Sequence, residues 1–466
     1  MKISRFRPLV LCCVSLAALS VPAFAEKPAA PAKPASPPSA LELGDGETLV
    51  LLGDSITHQC LYSQYLEDFY YTRYPDRKLR FHNAGVSGDR AADALARFDE
   101  DVVAFKPTVV TILLGMNDGE YADFQADTFS TYSVGMTEIL DRIAALGARA
   151  VAMSPTMFDH HQLGLQMKNP EYRFRERTFS SQYNALLAFY GGWLRESCGE
   201  RGLAFADQWG PMNEHVFARR RTEADFTLVP DAIHPAPAGQ FLMAFELLEQ
   251  VTPARRSVGS IQIVPAQKGF RASTNGGEVS DLEVSETKDR VAFSHLAVSL
   301  PWVVPDEAYG NPQKNWDAEP AAPLGVGMTA AGHKLSNERL RVAGLAPGTY
   351  ELRIDGEAVG RYGHLALGSK IELQSNDATP QHRQALDVAT LNRERNDLAV
   401  RPLRDAWGSL KGIRRKTAGD PAAFEQQAAP LRKKIDELNQ LARDYEDRIH
   451  AAAVPKLRHY EIVRIP

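Results

Sequence analysis

Five short apolar runs, each followed in turn by a stretch of helical period, constrain the fold more than any other feature of this chain. The runs are Thr48 to Leu52, Leu79 to His82, Thr108 to Leu114, Ala148 to Met153 and Leu203 to Ala206. Runs that are continuously apolar rather than alternating suit strands covered on both faces, which pair in parallel. Helical periodicity marks Gln59–Tyr74, Ala91–Phe105, Phe129–Leu146, Ser180–Glu200 and Ala236–Val251. This alternation predicts a three-layer α/β domain with right-handed crossovers. Ligands of such folds bind at the carboxyl ends of the strands.

The flanking regions read differently. A basic start with Lys2, Arg5 and Arg7, an apolar run from Pro8 to Leu19 and a small-residue end at Ala23-Phe24-Ala25 make a secretory signal peptide over 1–25, cleaved after Ala25. A secreted or periplasmic protein is the expectation. The run falls short of the roughly 18 apolar residues of a membrane span, so an integral membrane protein is not expected. Residues 26–42, rich in Ala, Pro, Lys and Ser, read as an extended linker. The formal net charge of −5 becomes more negative once the three leader cations leave, which excludes a general attraction for nucleic acid. Cys60 and Cys198 are the cysteines left in the mature chain, too few for a disulfide framework; one bridge and two buried thiols both remain open. No Cys/His metal spacing occurs, and neither metal nor other cofactor is expected.

The 466 residues suit two or three domains. The α/β domain is assigned to 43–254. From 255 to 370 the texture turns mainly β, with alternation over Ser257–Pro301 and Arg339–Gly360 broken at Asn275-Gly276-Gly277 and Asp355-Gly356. From 371 to 466 a helical hairpin is expected, Gln381–Trp407 and Pro421–Ala453, closed by a strand-like His459–Ile465. The second helix carries an apolar stripe of Phe424, Leu431, Ile435, Leu438, Leu441, Tyr445 and Ile449, which suits packing on its own protein. The basic run Arg414-Arg415-Lys416 reads as a solvated turn.

Four polar blocks fall at loops on one predicted edge of the sheet. They are Gly53-Asp54-Ser55, Asn83-Ala84-Gly85-Val86-Ser87-Gly88, Gly115-Met116-Asn117-Asp118-Gly119 and Asp231-Ala232-Ile233-His234. Singly, each is explained as well by helix capping or turn chemistry. Together and in this order they resemble the SGNH hydrolases, also called the GDSL esterase/lipase family. The resemblance spans about Thr48 to Val251 and implies a flavodoxin-like α/β/α sandwich that hydrolyses esters without metal or cofactor. It implies Ser55 as nucleophile, His234 as general base held by Asp231, and Gly88 and Asn117, with the Ser55 N–H, as oxyanion donors. Elementary chemistry agrees with each role. A serine hydroxyl attacks only when an imidazole of fixed tautomer takes its proton, and the tetrahedral oxyanion needs neutral donors.

Around these residues, Asp54 and Asp118 are expected to fix loops, and His58 to point elsewhere. The segment from Ser154 to Phe179, with Phe158, His160, His161, Tyr172 and Phe174, is expected to form a wall of the substrate site. The adjacent histidines lack the second ligand pair that a metal needs. An exported, acidic chain without an obvious apolar lid points to short acyl groups, acetyl on a carbohydrate above all, with a small molecule or polysaccharide ester as partner. The alternatives are a lysophospholipase or arylesterase, and a non-catalytic exported glycan-binding protein. Oligomeric state is open.

Overall fold

The computed structural model describes residues 40–252, 257–305 and 319–466. The proposed signal peptide and most of the linker lie outside them. Each apolar run becomes a strand: β1 Thr48–Gly53, β2 Arg80–Gly85, β3 Val109–Leu113, β4 Arg149–Met153 and β5 Ala204–Ala206. They pair in parallel in the order β2-β1-β3-β4-β5. This is the flavodoxin-like order, and β3 is buried along its whole length. Helices Leu61–Arg73, Ala126–Ala145, Tyr183–Arg201 and Pro237–Val251 cover the sheet.

The boundaries differ where the chain turns sharply. The helix expected over Gln59–Tyr74 begins at Leu61, because a left-handed φ of 62° at Cys60 breaks the chain between a one-turn helix Ser55–His58 and Leu61–Arg73. The Ala91–Phe105 segment likewise breaks into Ala91–Ala96, Phe98–Asp101 and a 3-10 turn Val103–Phe105. Helices His160–Gln166 and Trp209–Arg219 carry too short a buried stripe to have been read from periodicity.

The remainder of the chain adds two sheets. Their strands are β6 Gly259–Pro265, β7 Phe270–Thr274, β8 Gly277–Val284, β9 Arg290–Ala297, β10 Glu338–Val342, β11 Thr349–Ile354, β12 Glu357–Gly363, β13 Ile371–Glu372 and β14 Leu457–Ile465. The orders are β13-β10-β6-β7 and β12-β11-β14-β9-β8. Ile261, Ile263, Leu340 and Val342 from one sheet share a core with Phe293, Leu352, Ile354 and Ile462 from the other, which makes a sandwich. The closing strand β14 lies between β11 and β9, antiparallel to both. Short helices Ala322–Thr329 and Ala331–Leu335 interrupt this β region.

The late helices run Pro380–Arg395, a π turn Asn396–Val400, Arg401–Lys416 and Pro421–Ala453. Ile435, Tyr445 and Ile449 of the expected stripe are buried, whereas Leu441 faces solvent. These helices are built into the α/β domain. Arg395 is buried between Glu67 and Glu446, and both terminal nitrogens of Arg404 hold Asp101. The basic run is a correction: Arg414 reaches the Ala96 carbonyl and Glu100, and Arg415 reaches Asp93, so it pairs across to the α/β domain. No helix among the described residues is long and apolar enough to cross a membrane. Cys60 and Cys198 are buried free thiols.

Candidate active site

At the end of β1 the backbone turns directly into the helix Ser55–His58. The Asp54 side chain caps that helix by accepting the Ile56 N–H at 2.9 Å. Gly85 ends β2 close against this turn: a Cβ there would lie 2.4 Å from the His58 nitrogen, so the close approach demands glycine.

The loop before Pro237–Val251 supplies the other two groups. Ala232 takes a left-handed φ of 73°, which tightens the turn enough for one aspartate to reach forward over three residues. Asp231 Oδ1 accepts the Ile233 and His234 N–H groups at 3.0 and 2.7 Å, and Oδ2 faces His234 Nδ1 at 2.7 Å. His234 Nε2 lies 2.8 Å from Ser55 Oγ. All three residues are buried, with Ser55 6% exposed. Burial alone would raise the Asp231 pKa, but the adjacent His234 and the hydrogen bonds it receives hold it below the usual value. The ionised carboxylate therefore takes the Nδ1–H, which leaves the Nε2 lone pair for the serine hydroxyl.

Gly88 sits in a turn closed by the Asp89 N–H on the Val86 carbonyl, with φ of +71° and open space around it. Asn117, after β3, donates its amide to the Asp89 carbonyl at 3.1 Å and to Asp54 Oδ2 at 3.4 Å. Its amide oxygen accepts the Tyr121 hydroxyl at 3.1 Å. Asp118 holds the Ala91 and Gly115 N–H groups. Burial pushes Asp54 up to about 7 and Asp118 up to about 6.

The segment 154–179 braces the Asp231–His234 loop: Tyr172 donates to the Asp231 carbonyl at 2.6 Å, the Asp159 N–H to Ala232, and Gln162 and Gln166 to Pro230. His160 and His161 are exposed, and no group of three or more His, Cys, Asp or Glu suited to a metal occurs among the described residues. Sequence reading passed over Tyr121, placed Tyr172 in a wall of the substrate site rather than against the Asp231 loop, and expected His58 to point elsewhere. His58 is instead buried against the Gly88 turn, with Nδ1 3.2 Å from the Ser87 nitrogen. Only its place beside Ser55 in sequence hinted at this.

Residues 51–241 match the model of the GDSL-like lipase/acylhydrolase family. The acetylxylan esterase of Geobacillus stearothermophilus is 26% identical over 227 residues, covering 45% of this chain and 96% of that protein. Its solved structure covers the same shares at 23% identity, with a TM-score of 0.36. A gut microbial diltiazem-metabolizing enzyme shares the fold much more widely, with a TM-score of 0.77 and 23% identity over 91% of this chain and 98% of that one.

Proposed function

We propose that this chain, which belongs through residues 51–241 to the GDSL-like lipase/acylhydrolase family, the SGNH hydrolases, cleaves short acyl esters of carbohydrates, acetyl esters above all. It is an ester hydrolase. The observation that carries the mechanism is the line from Ser55 Oγ through His234 to Asp231, at 2.8 and 2.7 Å.

In the proposed reaction the Ser55 proton passes to His234 Nε2 as Oγ attacks the ester carbonyl. The tetrahedral oxyanion is met by the N–H groups of Ser55 and Gly88 and by the Asn117 amide. Collapse expels the alcohol, which takes the proton from His234, and leaves an acyl group on Ser55. Water, deprotonated by the same imidazole, attacks the acyl carbon; the bond to Oγ breaks, Oγ takes the proton back from His234, and the acid leaves. The acetyl–carbohydrate preference is supported by the likeness to an acetylxylan esterase and by the acidity of the chain, whose first 25 residues we also propose to be a leader for export. Sequencing the N-terminus of the exported protein tests the leader, with Glu26 expected first.

Purified protein is expected to hydrolyse nitrophenyl acetate and to lose that activity in Ser55→Ala; equal turnover by both removes Ser55 from the mechanism. Acetylated xylo-oligosaccharides are expected to outpace lysophospholipids, and the reverse order would make the protein a lipid esterase.

A further inference from the structure

We infer that Asp405, on the late helix Arg401–Lys416, is a positioning residue for ester hydrolysis: acting through His58, it fixes Ser87 and with it the peptide that carries the Gly88 N–H. This rests on the roles proposed above for Ser55 and Gly88.

The Gly88 turn has one backbone bond of its own, from Asp89 N–H to the Val86 carbonyl, and Gly88 is exposed. The helix Arg401–Lys416 holds the turn from three directions. Val86 is fully buried among Leu403, Ala406, Trp407 and Leu410. Lys411 Nζ lies 2.7 Å from Asp89 Oδ1. Asp405 Oδ1 lies 3.2 Å from His58 Nε2, and His58 Nδ1 in turn lies 3.2 Å from the Ser87 nitrogen and 3.1 Å from Ser87 Oγ.

The two ends of the His58 ring demand opposite things. A backbone N–H can only donate, so Nδ1 must carry a lone pair to receive Ser87, and the ring proton must sit on Nε2. A carboxylate facing Nε2 selects that tautomer. With the proton on Nδ1 instead, two N–H groups would oppose each other, and the Ser87 backbone would lose its acceptor even though the Ser87 hydroxyl could still accept from the ring. Asp231 does the corresponding work for His234, with the ring reversed. The Asp405 side chain is 56% exposed, so its hold is a bias on the tautomer and its effect on rate is moderate.

Steady-state kinetics with nitrophenyl acetate and the nitrogen-15 spectrum of His58 test this together. Asp405→Ala is expected to lower kcat about three- to tenfold, the range of one lost hydrogen bond, with KM held within about twofold. His58→Asn places an amide oxygen near Nδ1 without needing a tautomer. It should retain more activity than His58→Leu, and adding Asp405→Ala to it should cost nothing further. The spectrum should show the Nε2–H form in wild type and a mixture in Asp405→Ala. Wild-type kcat in Asp405→Ala, an equal loss in the His58→Asn background, or an Nδ1–H form in wild type would each overturn the inference while leaving the Ser55 mechanism standing. Equal turnover by wild type and Ser55→Ala would overturn both.

Discussion

At the Asn117 side chain the direction of the amide decides whether an oxyanion can be met. Tyr121 donates to the amide oxygen, so the NH2 faces the Asp54 and Asp89 side, next to Ser55. Asn117→Ala is expected to lower kcat about 10²- to 10³-fold with little change in KM, because the contact is made chiefly in the transition state. A rise in KM at constant kcat would refute the donor role. Tyr121→Phe removes one hydroxyl and frees the amide to turn, for an expected loss of about three- to tenfold in kcat at unchanged thermal stability. That Ser55, Asp231 and His234 would meet was legible in the sequence. Each sits at a strand or helix end in a short block whose residue types have few other reasons to recur in that order. Tyr121 was not legible, because its reach to Asn117 depends on left-handed φ angles of 57° and 60° at Glu120 and Tyr121, which neither residue type announces.

Among the elements, helix Arg401–Lys416 joins the late hairpin to the α/β domain through a charge buried on both sides. Burial would raise Asp101, but Arg404, His82 and Arg97 around it hold its carboxyl far below the usual range. Breaking such a pair from one side leaves a charge stranded in the interior. Arg404→Leu is expected to cost about 3 kcal/mol, the lower end for buried pairs because Arg97 remains 2.6 Å from Asp101. Urea unfolding measures this, and a loss below about 1 kcal/mol would mean that water reaches Asp101. The helix itself was partly visible as periodicity up to Trp407, but its last turns were read as a solvated run. Their partners Glu100 and Asp93 lie some three hundred residues away, where local pattern has no view. Trp209–Arg219 escaped for another reason: Pro211 stands in its first turn and its buried face is just Met212, Asn213 and Val216.

Across the whole molecule the sequence announced the parallel sheet far better than the sandwich, since a buried parallel strand is a continuous apolar run while an alternating strand gives no clue to its partner. Nothing in His459–Ile465 told that it would lie between β11 and β9. Glu338, the first residue of β10, marks where the three regions meet. Gln381 from the late helices donates to its Oε1 at 2.7 Å, and Arg73 from the α/β domain lies close enough to lower its pKa. Burial outweighs both and raises the carboxyl from 4.5 to about 7. Below pH 4.5 the folded and unfolded chains both hold this proton, and Glu338 adds no pH dependence. Between pH 4.5 and about 7 the unfolded chain releases it while the folded one keeps it, so this group makes stability fall as pH rises, and above 7 its effect is constant. The drop amounts to about 3 kcal/mol over the whole window. Glu338→Gln cannot titrate, so its unfolding free energy, plotted against pH, is expected to lack that decline whatever its offset from wild type. Two parallel curves between pH 4.5 and 7 would show that Glu338 is ionised in the folded protein, and that water or a cation reaches the junction of the three regions.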